Sequence, residues 1–129
     1  MTGAVLLYVS TLTEGESPSV VAAIAKESRS ANRLLDITGL LVFDGASFAQ
    51  WVEGPSAAIA DLLRRLARDR RHQDMDVLAY EQSTQPRRFP DWQLGYLITD
   101  ESAIEQLRTT RDAKAFLSFV SASSHVVSM

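Results

Sequence analysis

The sequence contains no cysteine, which excludes disulfides, thiolate nucleophiles, Cys-ligated zinc and iron–sulfur clusters. Histidine is scarce as well. His72 and His125 are the only two, so no Ser-His-Asp set is suggested and no metal centre is expected. The few glycines form neither a Walker loop nor a dinucleotide fingerprint, and the chain is read as a non-enzyme. Long apolar runs are also missing. The stretch Val5 to Val9 is too brief for a signal sequence or a membrane span and has no basic segment before it, so a cytoplasmic protein without membrane attachment is expected. A net charge of −3 gives no electrostatic reason to bind nucleic acid or an anionic membrane. Positive charge is nevertheless clustered at Arg64, Arg65, Arg68, Arg70 and Arg71, a run that reads as a solvated helix face, and again at Arg87-Arg88.

What is present suffices for one domain: 129 residues, 46% of them hydrophobic, can bury a core without staples. Val5 to Ser10 is a β-branched and aromatic run followed by a loop, which predicts a first strand. Ser17-Pro18 signals a helix start, and Val20, Val21, Ile24, Ser28, Ala31 and Leu35 recur at helical spacing, so a helix is expected from Pro18 to about Leu34. Gly39 to Phe43 and Ser47 to Val52 read as a hairpin, with Asp44-Gly45 supplying the positive-φ residues of a tight turn. Gly54-Pro55 opens a second helix whose stripe is Ile59, Leu62, Leu63 and Leu66, stopping near Arg71. Val77 to Tyr80 and Trp92 to Ile98 look like further strands. The order is that of a ferredoxin-like βαββαβ sandwich, an α+β fold with both helices on one face of an antiparallel sheet, plus an added fifth strand. A C-terminal helical extension follows, with Asp100 as a cap, then Ile104, Leu107, Ala113, Phe116, Leu117 and Val120 as apolar positions that either cover the second sheet face or dock on a partner.

Several polar residues fall in apolar company. Ser28 and Asn32 follow Ile24 at intervals of four, along the buried side of the first helix. An unsatisfied buried amide costs about 1–3 kcal/mol, so Asn32 needs a partner, which backbone or solvent could also supply. Period-two alternation places Gln50 on a face with Phe48 and Val52, opposite Ala49, Trp51 and Glu53, without saying which face is covered. If Gln50 lies under the helices, its amide offers donor and acceptor together, which suits a ligand edge bearing both kinds of group. Tyr8 could add a phenol there, although a phenol at a core edge is ordinary. Asp69-Arg70-Arg71-His72 concentrates charge at the end of the second helix, where Arg71 and His72 either hold an anionic or ribityl portion of a ligand or simply answer the helix dipole.

In Leu7-Tyr8-Val9-Ser10, Ser28-Arg29-Ser30-Ala31-Asn32, Ile37-Thr38-Gly39-Leu40-Leu41, Phe48-Ala49-Gln50-Trp51-Val52-Glu53-Gly54-Pro55, Asp69-Arg70-Arg71-His72 and Phe89-Pro90-Asp91-Trp92-Gln93-Leu94-Gly95-Tyr96 the chain resembles the BLUF domains, blue-light sensors using FAD. The resemblance covers roughly the first hundred residues and implies a photosensor domain over 1–99 and a helical extension over 100–129. It implies a flavin held between the two helices, with Tyr8 donating an electron and proton to the excited flavin and Gln50 rotating or tautomerising in response. It further implies that Asn32 bonds the ring's polar edge with Ser28 nearby, that Ile24, Phe48 and Leu66 line the ring, and that Asp69, Arg71 and His72 hold the ribityl side. Without cysteine, the rival photochemistry through a flavin adduct is excluded. Trp92 and Leu94 match the signalling positions, and Leu94 departs from the methionine many members carry. The resemblance does not separate FAD from FMN or riboflavin. A homo-oligomer with the apolar tail helix as its surface, and an unidentified downstream protein, are the expected partners.

Two other readings share the fold. An RNA-recognition module would use aromatics on its central strands, loosely matched by Leu7 to Leu12 and by Phe48 with Trp51, but Asp44 stands where a basic residue is wanted. An interaction domain that had lost its ligand would have no need to keep Tyr8, Asn32 and Gln50 together.

Overall fold

The computed structural model describes residues 3–17, 19–90, 95–98, 102–122 and 127–128. Its elements are β1 (Gly3–Leu12), α1 (Val20–Leu35), β2 (Thr38–Phe43), β3 (Ser47–Pro55), α2 (Ser56–Arg68), β4 (His72–Ser83), β5 (Gly95–Ile98), α3 (Ser102–Thr110), α4 (Ala113–Ala122) and β6 (Val127–Ser128). They form one sheet in the order β4-β1-β3-β2-β5-β6. The first four strands are antiparallel neighbours, as the split βαβ order requires, and β5 joins β2 in parallel. β6, which the sequence pattern did not reveal, pairs with β5.

β1 and β3 alternate their side chains between two cores. Ala4, Leu6, Tyr8 and Val52 pack with Ile37 and with Ile59 of α2, and Leu41, Phe43 and Phe48 pack against Val21 and Ala25 of α1. On the reverse face Val5, Leu7, Val9, Val42, Ala49 and Trp51 meet Ile104 and Leu107 of α3 and Phe116 of α4. Fully burying one such Val, Leu or Phe side chain contributes about 1.5–3 kcal/mol. The extension therefore lays Ile104, Leu107 and Phe116 on its own sheet, the first of the two roles its apolar positions allow.

The structure corrects several boundaries. α1 begins at Val20, with Ser19 at the cap making no side-chain cap bond, and Ser17 instead accepts from the Ser19 N–H at 3.3 Å; Pro18 lies outside the described residues. Leu35 is exposed because the chain leaves the helix at Asp36, whose left-handed φ of 58° turns it away. The Asp44-Gly45 hairpin is not a turn of two positive-φ residues: only Gly45 is left-handed, while the Asp44 carboxylate accepts from the Ala46 and Ser47 N–H groups. α2 stops at Arg68 with Asp69 as its C-cap, whose N–H bonds the Leu66 carbonyl, so Arg70 and Arg71 make the turn and His72 opens β4. β4 runs twelve residues, far beyond Val77–Tyr80, because an edge strand tolerates outward polar residues; register shifts interrupt its pairing with β1. Gly39 is the one residue that fits where a Cβ would sit 2.0 Å from the Trp51 carbonyl oxygen. No helix among the described residues is long and apolar enough to cross a membrane.

Candidate functional site

Strand register brings the first pair together. Tyr8 and Gln50 stand directly opposite in the β1–β3 ladder, so their side chains leave the sheet on the same face, beneath α1 and α2. The Tyr8 hydroxyl donates to Gln50 Oε1 at 2.5 Å. Both side chains are buried at 4% exposure, and Asn32 at 2% joins them from the last turn of α1. The backbone fixes Asn32 there, because its carbonyl accepts from both Asp36 and Ile37 as the helix terminates. Burial, reinforced by the negative charge of Asp69, pushes the Tyr8 phenol well above its ordinary range and keeps it protonated. With Oε1 occupied by the phenol, the amide NH2 is the donor Gln50 has left for a ligand.

The opposite wall is the turn after α2. Asp69 accepts from Arg71 Nε at 3.0 and 3.2 Å on its two oxygens, from Nη2 at 2.8 Å, and from the Arg71 backbone N–H at 3.0 Å. These bonds hold the Asp69 carboxyl below the usual carboxylate range, and they raise the Arg71 guanidinium in turn. Arg71 also bonds Glu27 of α1 at 2.8 Å, tying the two helices across the mouth. His72 Nε2 lies 2.7 Å from the Leu66 carbonyl, and its ring tilts over Tyr8 with centroids 6.2 Å apart.

Two adjoining hollows between α1 and α2, of about 280 and 50 Å³, are lined by these groups. Every cleft residue expected from the sequence borders one or both: Tyr8, Ile24, Ser28, Asn32, Phe48, Gln50, Leu66, Asp69, Arg71 and His72. Glu27, Ala31, Leu62, Arg65, Ser10 and Leu41 border them too and were missed. Leu62 stands on the apolar stripe of α2, whereas Arg65 belongs to the arginine run that reads as a solvated face. Ser10 Oγ is fully buried beside the smaller hollow with no hydrogen-bond partner among the described residues. Such an orphan next to an open space is a group a ligand or water would satisfy. Apolar walls with a few convergent donors and acceptors suit a flat ring with one polar edge. Among the described residues, no group of three or more His, Asp or Glu side chains comes together to hold a metal. Trp92 and Leu94 lie outside the described residues.

The sequence model of one family, "Sensors of blue-light using FAD", matches residues 4–95. The chain belongs to the BLUF family. It is 32% identical over 106 residues to the photoactivated adenylate cyclase subunit beta of Euglena longa, a match spanning 81% of this chain but 12% of that protein. It is 30% identical over 67 residues, 52% of this chain and 17% of the other, to the blue light- and temperature-regulated antirepressor BluF of Escherichia coli K12. The chain thus spans a small part of the length of these relatives. The dark-state structure of the BLUF protein BlrB superposes with a TM-score of 0.75 at 30% identity, covering 92% of this chain and 91% of that one. BLUF membership agrees with the ferredoxin-like architecture, makes FAD the family's cofactor, and does not favour the RNA-recognition reading.

Proposed function

We propose that this BLUF chain senses blue light through a non-covalently held flavin in the cleft between α1 and α2, and that the buried Tyr8–Gln50 hydrogen bond is its switch. That bond is the observation carrying the reading, because it joins a phenol to an amide whose donor and acceptor can exchange places without any change of charge. Asn32 and Ser28 would hold the ring's polar edge, Ile24, Phe48 and Leu66 its faces, and Asp69, Arg71 and His72 the ribityl side. The bound flavin supplies the blue absorption and the excited-state electron acceptor. Tyr8, kept neutral by burial, would give both an electron and its hydroxyl proton to that acceptor, and Gln50 would reorganise its amide to follow. Rearranging one or two such bonds redistributes about 1–3 kcal/mol, enough to tip an element already near balance.

The chain is read as a sensor without catalysis of its own, since its likeness to the cyclase subunit is confined to 12% of that protein. Its output would be a change in association, with a second copy or with a downstream protein; the antirepressor relative supports a protein partner. A cytoplasmic location follows from the same reading. Purification in dim light and visible spectra before and after blue illumination test it. The expected result is a yellow protein with a reversible red shift, whereas a colourless preparation that takes up neither FAD, FMN nor riboflavin would overturn it.

A further inference from the structure

Glu53 is a buried carboxylate that the switch leaves without a role. It lies three residues after Gln50 on β3, at 4% exposure, next to Trp51 on the side of the strand turned from the cleft. One of its oxygens accepts the Arg88 backbone N–H at 2.8 Å and the other the Phe89 N–H at 2.9 Å. The same loop is gripped again by Arg87, which donates to the Thr38 hydroxyl at 3.2 Å and to the Asp36 carbonyl at 2.8 Å. Thr38 is the residue opposite Glu53 in the β2–β3 ladder. Trp51 meets the Phe89 ring edge-on at 6.5 Å and stacks on Phe116 of α4 at 6.3 Å and 8°. Residues 87–89 precede β5 in the sequence, and β5 itself pairs with β2 and not with β3. The bonds from Glu53 are therefore a direct polar link from the strand of Gln50 to that loop. A carboxylate taking two backbone N–H groups away from water forms a charge-assisted link that moves with its strand.

We propose that Glu53 is a positioning residue of the light response, fastening the 87–89 loop to the strand that carries Gln50, so that a shift of β3 is passed toward β5. The inference rests on the flavin-sensor reading of the cleft. The test uses the full chain loaded with FAD, comparing wild type with Glu53→Ala and Glu53→Gln. Two quantities are measured: the light-induced red shift, and the light-minus-dark difference in amide hydrogen exchange across β5. Glu53→Ala is expected to keep the red shift while the exchange difference in β5 falls about twofold or more, the low end for residues that carry coupling. Glu53→Gln, equal in size and with one acceptor oxygen kept, should fall less. If Glu53→Ala does not fold, Glu53→Gln decides alone, by whether its β5 exchange difference falls measurably below that of wild type while the red shift is kept. A variant that loosens the loop equally in dark and light, with the β5 difference undiminished, has lost only a structural bond, and the proposal fails. It fails also if the red shift itself disappears, since Glu53 would then act within the cleft. A wild-type protein without any red shift would refute the sensor reading instead.

Discussion

Along β3 the same backbone serves two different purposes on its two sides. Phe48, Gln50 and Val52 face α1 and α2, where the packing stops short and leaves hollows edged by Tyr8, Asn32, Asp69 and Arg71. Ala49 and Trp51 face α3 and α4, where Ile104, Leu107 and Phe116 pack into an apolar core that leaves a hollow of about 160 Å³, lined mainly by apolar side chains. Buried polar groups are expensive unless satisfied, so a face that gathers a phenol, two amides and an ion pair is not optimised for stability. The reverse face is the one that holds the sheet together. Chemistry and stability are thus separable by single substitutions, one face at a time.

The largest effect should come from Tyr8→Phe. The ring is kept and flavin should still bind, but the hydroxyl that reaches Gln50 is gone. The light-minus-dark visible spectrum is expected to lose its red shift entirely. A normal photocycle in this variant would show that Tyr8 is not the donor and that the contrast between the faces has been misassigned. Phe116→Ala is the mirror experiment on the reverse face. Truncating a buried phenylalanine costs about 3–5 kcal/mol, so the urea midpoint should drop strongly. Below that midpoint the initial red shift should persist, because Phe116 does not border the cleft.

Much of this division is legible in the sequence. The apolar periods of α1 and α2 and the order of strands specify the βαββαβ frame, and alternation on β3 separates Gln50 from Trp51. What alternation cannot supply is register: that Tyr8 stands opposite Gln50 depends on how β1 and β3 slide past each other, which no local pattern encodes. β4 was read too short because its outward residues, Gln73, Asp74 and Glu81, dilute the apolar signal of an edge strand. Arg65 and Glu27 were missed at the cleft because an exposed charge on a helix looks the same in sequence whether or not a hollow opens beside it. The roles of the cleft residues came from family resemblance, since Asn32 or Tyr8 alone is as readily a structural residue.

The smallest expected effect distinguishes the faces by pH. The shifted groups Tyr8, Asp69 and Arg71 all border the cleft. Asp69 is depressed in the folded state, chiefly by its bonds to Arg71, so it stabilises the fold above its ordinary value of 3.8, and that contribution is lost as pH falls through the lower folded value. Tyr8 is shifted the other way, upward by burial. Its contribution is complete below the ordinary 10.0 and is lost as pH rises beyond it toward the folded value. Urea midpoints measured from about pH 5 down to about pH 3 should therefore fall less steeply in Asp69→Asn than in wild type. Above pH 10.0 the same should hold for Tyr8→Phe. Phe116→Ala, which removes no titrating group, should lower the whole profile and keep its shape. If Phe116→Ala flattened the acid limb as Asp69→Asn does, the two faces would be coupled through the sheet, and the separation of switch from scaffold would have to be abandoned.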